Sequence, residues 1–281
     1  MKISEALDFA KQRLLASQID SASLDSRLIL GYLLNYSKVD LISHDDELLD
    51  KNTLAKYFDL IEKRATGYPV AYILGYKEFY GLKLKVTEDT LIPRPDTETI
   101  VEAACRLNAQ GKVLDLGTGS GAIILALKAQ LQDKIEAYAV DNSPKALEVA
   151  IENAKNLKLN ICFIQSNWFE NVPKVKFSMI VSNPPYIAQG DEHLSLTSLP
   201  FEPKSALTSG KLGLDDIQVI VSKAKDYLQE DGLLLIEHGY NQAQLVQEIF
   251  KNCGFEDICT LKDLSNQDRV TYARNCHHQN A

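Results

Sequence analysis

Three groups of residues in this sequence have types and spacings that could do chemistry. The first is Gly117-Thr118-Gly119-Ser120-Gly121, directly after the apolar run Val113-Leu114-Asp115-Leu116 and directly before a helical pattern. Glycine carries no Cβ and tolerates positive φ, so such a loop lets backbone approach a ligand closely. Its Gly-x-Gly-x-Gly spacing departs from the Gly-x-Gly-x-x-Gly of dinucleotide binders. The second is Asp141, at the end of the next apolar run, Ile135 to Val140. A carboxylate there is placed to accept both hydroxyls of a ribose; its competing role, a helix cap, is already supplied by Ser143. The third is Asn183-Pro184-Pro185-Tyr186, which closes the run Phe177 to Val181. Two residues without an N–H end a sheet ladder, and Pro184 biases Asn183 towards extended backbone. The Asn amide and the carbonyls after it are thereby held in a restricted fan. Taken alone, such a turn is equally well an Asn bonding its own backbone, so its meaning depends on its neighbours.

The neighbours point to a nucleoside that carries a positive charge. A dehydrogenase loop receives a pyrophosphate, which Asp115 would repel; the same carboxylate favours a cation such as the ammonium of a methionine moiety. S-adenosylmethionine therefore fits Gly117 to Gly121 and Asp141 better than a nicotinamide dinucleotide does.

These groups need strands that end together. After Gly111 the chain alternates strand and helix: strands at Val113–Leu116, Ile135–Val140, Ile161–Gln165, Phe177–Val181, Leu233–Glu237, Phe255–Leu261 and Arg269–Ala273. Helices are expected at Ala122–Gln130, from Pro144 to about Leu157, from about Leu214 to Leu228, and at Gln242–Lys251. That alternation predicts an α/β fold, a doubly wound and mostly parallel seven-stranded sheet with helices on both faces. In such sheets ligands sit beyond the C-terminal strand ends.

Upstream the pattern is purely helical. Ile3, Ala6, Leu7, Ala10 and Leu14, then Leu24, Leu28, Leu33 and Leu34 behind a Ser23 cap, then Leu54, Tyr57, Phe58 and Ile61 fall at helical spacing. Residues 1–71 are expected to be a small helical bundle that binds a partner or positions a substrate, and residues 72–90 a β-hairpin linker around Gly75 and Gly81. Residues 91–281 are then the catalytic domain. In Leu91-Ile92-Pro93-Arg94-Pro95-Asp96-Thr97-Glu98 the prolines stiffen the entry to an amphipathic helix through Val101 and Leu107, with Asp96 or Thr97 as its cap. Arg94 reads as a surface loop residue.

Composition narrows the function classes. With 281 residues, 45% of them hydrophobic, the chain can bury a sizeable core. No apolar run reaches the roughly 18 residues of a membrane span, and the N-terminus has no signal-peptide pattern, so a cytoplasmic protein is expected. A net charge of -8 opposes stable binding of long nucleic acid. The five cysteines show no CxxC spacing, and the terminal Cys276-His277-His278 is a poor ligand cluster, so neither a disulfide framework nor a metal is expected.

The Asn-Pro-Pro-Tyr turn resembles the motif of amino methyltransferases that act on planar amide or exocyclic amine nitrogens. With Leu114 to Gly121, Leu91 to Glu98, Asn167-Trp168-Phe169, Phe201-Glu202-Pro203 and Glu237-His238-Gly239, nearly the whole chain is similar to the glutamine methyltransferases of peptide-chain release factors. The resemblance implies a Rossmann-like methyltransferase fold and methylation of the glutamine of the Gly-Gly-Gln loop of class 1 release factors. It implies S-adenosylmethionine at Gly117, Thr118, Gly119, Ser120, Gly121 and Asp141, with Trp168 beside the adenine and Asn183 also close to the cofactor. Asn183, Pro184, Pro185 and Tyr186 are then the residues that hold the substrate glutamine, and Asn183, Pro184 and Tyr186 the catalytic ones. Asn167 stands where an acidic residue is commoner, and Leu212-Gly213-Leu214-Asp215 also departs from the family's pattern. An adenine-N6 DNA methyltransferase, or a non-catalytic protein that holds the cofactor and binds a partner, are the alternatives.

Overall fold

The computed structural model describes residues 1–195 and 199–276. His277 and His278 lie outside the described residues. By contacts the chain divides into two units: Met1–Tyr76 with Ser195–Phe201, and Lys77–Leu194 with Glu202–Ala281.

The first unit is a bundle of α1 (Ile3–Ala16), α2 (Ala22–Leu34), α3 (Lys38–Ser43), α4 (Lys51–Ala65) and α5 (Val70–Leu74). Ile3, Ala6, Ala10 and Leu14 of α1 meet Ile29 and Leu30 of α2 and Tyr57 and Ile61 of α4 in one core. The face of α2 differs from the expected one. Leu24 and Leu28 are exposed, whereas Asp25 and Ser26 are buried. Beside Ile29 and Leu30 the inward stripe holds two polar residues whose groups are satisfied: Asp25 pairs with Arg64 at 2.8 Å, and the Ser26 hydroxyl donates to the Ser23 carbonyl at 3.2 Å. The helix also begins at Ala22, ahead of the expected Ser23 cap.

The hairpin is shorter than expected. Tyr72 to Leu74 belong to α5, which Gly75 ends in a left-handed conformation, and only β1 (Tyr76–Phe79) and β2 (Leu82–Lys85) pair. A short 3₁₀ turn, Pro95–Thr97, then leads into α6 (Glu98–Arg106).

The second unit is built on β3 (Gly111–Leu116), α7 (Ala122–Leu131), β4 (Ile135–Asp141), α8 (Pro144–Leu157), β5 (Cys162–Gln165), β6 (Phe177–Ser182), α9 (Asp215–Ala224), β7 (Leu228–Glu237), α10 (Ala243–Asn252), β8 (Glu256–Lys262) and β9 (Asp268–Arg274). The seven-stranded sheet has the order β5-β4-β3-β6-β7-β9-β8. Pairs among β5, β4, β3, β6 and β7 are parallel, and β9 is antiparallel to both β7 and β8. Because side chains alternate along a strand, each central strand feeds two cores. Val113, Met179, Val181, Leu233 and Leu235 pack with Ile100, Val101 and Ile124 on one face. Leu114, Leu116, Ile180, Leu234 and Ile236 pack with Ile217, Ile220, Val246 and Phe250 on the other. A near-continuous apolar strand is therefore what two covered faces require. The α9 helix stops at Ala224, short of the expected Leu228, because Leu228 already pairs with Phe177 as the start of β7.

The topology fixes where a ligand can go. From β3 the chain runs outward through β4 to β5, then crosses back to place β6 on the other side of β3. The reversal opens a crevice beyond the C-terminal ends of β3 and β6, the switch point of an open α/β sheet.

Candidate functional site

Register brings the three chemical groups into one row. Leu116 pairs with Val140 on one side and with Ser182 on the other, so the residues just beyond are Asp141, Gly117 and Asn183. Ser182 Oγ donates to the Leu116 carbonyl at 2.7 Å, fastening the two strand ends. Ser182 also pairs with Ile236, which puts Glu237 next along the row. Residues distant in sequence thus converge because four strands stop at one level.

The loop after β3 is tied down by its neighbours. The N–H groups of Gly117 and Thr118 both donate to the Val140 carbonyl at 2.9 Å, and the Gly119 N–H donates to Asp141 Oδ2 at 2.8 Å. Asp141 Oδ1 accepts from the Ser143 N–H at 2.9 Å. Each carboxylate oxygen keeps further lone-pair capacity, and burial pushes the Asp141 carboxyl above its ordinary value. Ser143 Oγ caps α8 through the Ala146 N–H, as expected. Gly117 has φ +72°, and a Cβ there would stand 3.2 Å from the Trp168 ring. The glycine lets the indole lie against the loop, and Trp168 Nε1 donates to Asp216 Oδ1 at 3.1 Å, which sets the ring's plane.

Gly117, Asp141, Trp168, Asn183 and Pro185 line one cavity of ≈ 440 Å³, whose wall also includes Leu91, Asn167 and Asp216. Thr118 and Ser120 are buried. The Thr118 hydroxyl donates to Asp115 Oδ2 at 2.7 Å, behind the loop. Gly121 is the N-cap of α7. Asn167 Nδ2 donates to Glu170 at 2.8 Å. Asp115 is fully buried, and its Oδ1 makes no hydrogen bond. Burial pushes its carboxyl up to about 7, with the Thr118 hydroxyl opposing and the Asp141 charge adding to the rise.

The turn after β6 is held from behind. Asn183 Nδ2 donates to the Thr97 hydroxyl at 3.2 Å, and the Tyr186 hydroxyl donates to Glu237 Oε1 at 3.3 Å. Burial raises the Tyr186 phenol above its ordinary value and pushes the Glu237 carboxyl up to about 7, against the Thr97 hydroxyl and the Arg269 charge. Pro184 is buried, and Pro185 and Tyr186 are half-buried. The Tyr186 carbonyl accepts from Gln242 Nε2 at 2.9 Å, and Ile187 continues into a bridge with Thr208. Neither Asp96 nor Thr97 caps α6, in contrast to the expectation: Asp96 pairs with Arg269 at 3.3 Å, and Thr97 makes no side-chain cap. Arg94 is not a free surface residue, since it pairs at 2.5 Å with the buried Glu202, which also accepts from the Ile92 N–H at 3.0 Å. His238 is a structural residue, its two ring nitrogens bonded to the Gly239 carbonyl and to Thr271.

Thr97, Glu202, Asp216, Gly213 and Gln242 escape sequence reasoning, because each acts through a partner tens of residues away. Gly213 shows the point. With φ +72°, a Cβ there would lie 2.1 Å from the Tyr186 carbonyl oxygen, so the loop before α9 touches the turn through a residue that has no side chain. Gly213→Ala is expected to destabilise the protein by roughly 1–3 kcal/mol in denaturant unfolding and to lower turnover with it. Unchanged stability would mean that this close approach is not required.

The strand order, with the Gly-rich loop and the Asn-Pro-Pro-Tyr turn on adjacent strands, defines an α/β methyltransferase. A methyltransferase from Pyrococcus furiosus shares the fold with a TM-score of 0.54 and 17% identity over 79% of this chain and 99% of that one. The catalytic domain of hMettl16, solved with an MAT2A 3'UTR hairpin, gives a TM-score of 0.58 at 16% identity over 78% of this chain and 83% of that one. Residues 97–257 match the methyltransferase small domain, and residues 5–75 match the PrmC N-terminal domain. The chain belongs to the release factor glutamine methyltransferase family. It is 45% identical over 273 residues to the Vibrio cholerae release factor glutamine methyltransferase, covering 96% of this chain and 95% of that one. Against the Francisella tularensis protein of the same description the identity is 46% over 259 residues, 90% of this chain and 91% of that one. Among the described residues no helix is long and apolar enough to cross a membrane, and no cluster of three or more His, Cys, Asp or Glu could hold a metal.

Proposed function

We propose that this chain methylates the side-chain amide nitrogen of the glutamine in the Gly-Gly-Gln loop of class 1 peptide-chain release factors, with S-adenosyl-L-methionine as donor and S-adenosyl-L-homocysteine as product. The observation that carries the reading is the register of β4, β3 and β6, which sets Asp141, Gly117 and Asn183 side by side at one cavity. The residues present fit the donor. Asp141 has acceptor capacity for ribose hydroxyls, Trp168 offers an aromatic wall, and the orphaned Oδ1 of Asp115 gives the site a buried carboxyl that a nearby cation would favour in its ionised form. When bound, the donor supplies an electrophilic methyl on a sulfonium.

The chain's own work follows from the chemistry of an amide. Its nitrogen lone pair is delocalised into the carbonyl, so the nitrogen is a poor nucleophile. Asn183 Oδ1 and the Pro184 carbonyl are the acceptors we assign to the two amide N–H groups. Together they fix the amide plane and push electron density onto nitrogen. Such alignment supplies on the order of 7–11 kcal/mol of a barrier. No strong base need act first, because the proton becomes far more acidic once nitrogen is methylated. Tyr186 covers the amide face and excludes water. The helical unit, residues 1–71, is assigned recognition of the protein substrate, a role supported by its match to the PrmC N-terminal domain.

The test is transfer of label from S-adenosylmethionine to a purified release factor and to its Gln-to-Ala loop variant. Label is expected in the first and absent from the second. Equal labelling of both, or labelling of adenine in DNA with none in the release factor, would overturn the assignment.

A further inference from the structure

We propose that Thr97 and Glu237 are positioning residues that hold the Asn183 side-chain amide with Oδ1 turned towards the methyl acceptor, an inference that rests on the methyl-transfer reading above. An Asn amide has one end that only accepts and one end that only donates, and rotation by half a turn exchanges them. For the proposed reaction the difference is decisive. A glutamine amide nitrogen carries two N–H donors, so Oδ1 receives it and Nδ2 repels it. Something must choose between the two orientations.

The choice is made behind the turn. Asn183 Nδ2 donates to Thr97 Oγ1 at 3.2 Å, so the hydroxyl is the acceptor in that contact and its own proton must point elsewhere. Its partner is Glu237, which is 1% exposed, receives the Tyr186 hydroxyl at Oε1 and is favoured in its ionised form by a hydrogen bond from the Thr97 side chain. An ionised carboxylate can only accept. With Tyr186 donating to it, and with Thr97 oriented by it, the hydroxyl oxygen offers only lone pairs to Asn183. The donor end of the Asn amide is drawn back to Thr97, and the acceptor end is left for the substrate.

Glu237 is thereby the fixed end of a three-residue relay. Protonation would reverse it, since a neutral carboxyl can donate to Thr97, which can then donate to Asn183 and favour the turned-over amide. The Thr97 hydroxyl and the Arg269 charge both favour the ionised form of Glu237, and Asp96 opposes it. Of these, Thr97 and Asp96 come from the turn before α6 and Arg269 from β9, which also pairs with Asp263. Tyr186 comes from the turn after β6, with Arg94 acting on its phenol. Just beyond the strand of Glu237, burial lowers the His238 imidazole from its ordinary value.

The experiment compares Thr97→Val, Thr97→Ser and Glu237→Gln in the full chain with a release factor as substrate. Thr97→Val keeps the shape and removes the hydroxyl; kcat is expected to fall on the order of 10- to 100-fold while KM and cofactor affinity stay within about threefold. Thr97→Ser is expected to recover most of kcat. Wild-type kcat is expected to fall as pH drops through about 7, the value of Glu237, and Glu237→Gln to lower kcat and abolish that acid limb. Carbon-13 NMR of the Glu237 carboxyl, which needs no substrate, is expected to show a higher titration midpoint in Thr97→Val. A Val variant as active as wild type, a Ser variant no better than Val, or an unmoved midpoint would overturn the relay. Absence of any release-factor methylation by the wild type would instead overturn the methyl-transfer reading, and the carboxyl titration would still decide the relay.

Discussion

Asn183→Ala is expected to lower methyl transfer by on the order of 10²–10³, the effect of removing one preorganised polar group from a reacting centre, while S-adenosylmethionine still binds. The separation follows from where the side chain points. Asn183 lines the cavity, but its amide nitrogen is held by Thr97, which does not line it, at 3.2 Å. The contacts assigned to the donor run instead through Asp141, the Gly117 loop and Trp168. Loss of the amide strips the substrate nitrogen of an acceptor and leaves Thr97 with an unused lone pair, a cost of about 1 kcal/mol in stability. That cost is too small to unfold the chain, so a folded, cofactor-binding and nearly inactive protein is the expected product. Calorimetry of cofactor binding beside a radiolabel assay checks the division. Equal losses in the two measurements would mean that Asn183 serves the cofactor and not the acceptor.

The parts of this molecule legible in its sequence are those that local rules decide. The central strands read clearly because Met179 to Val181 and Leu233 to Ile236 are covered on both faces, which leaves no polar alternation to confuse them. Gly117, Asp141 and Asn183 stand out in the sequence because each follows an apolar run that must stop, and parallel strands that stop together bring their ends together. What was illegible depends on distant partners. The inward stripe of α2 carries Asp25 and Ser26, residues that hydrophobic periodicity assigns to solvent, and their burial rests on partners that periodicity does not show: Arg64 and Ser21 on Asp25, the Ser23 carbonyl on the Ser26 hydroxyl. Thr97 reads as a helix cap in the sequence because Thr before a helix usually is one. Its hydroxyl is instead taken by Asn183, 86 residues on. Gln242 reaches the Tyr186 carbonyl across 56 residues, and Gly213 matters through the side chain it lacks.

The two carboxylates of the β3–β4 edge are expected to respond to mutation and pH in different ways. Asp141 binds two backbone N–H groups and lines the cavity, so Asp141→Ala removes a charge-assisted acceptor and is expected to weaken cofactor binding by roughly 1.5–3 kcal/mol at any neutral pH. Asp115 does not line the cavity; it acts through its ionisation. Its folded value, about 7, lies above the ordinary 3.8, so the folded protein holds the proton more tightly than the unfolded chain does. The associated stability is full below pH 3.8 and is lost as pH rises through about 7. At ~1.4 kcal/mol per pH unit, the loss amounts to at most ~4 kcal/mol. A cationic ligand favours the ionised carboxyl, so the order is inverted for binding: affinity for S-adenosylmethionine is expected to rise by up to about tenfold per pH unit below 7 and then to level off. Asp115→Asn removes the titrating group. It is expected to flatten the affinity profile and most of the decline in stability over the same range, the remainder belonging to Asp141 and Glu237, whose carboxyls burial also raises. Calorimetry at several pH values, in buffers of different ionisation enthalpy, reads both the affinity and the proton released on binding. A flat wild-type profile, or a slope that survives in Asp115→Asn, would remove Asp115 from the account of the cofactor's charge and leave that task to the other residues of the site.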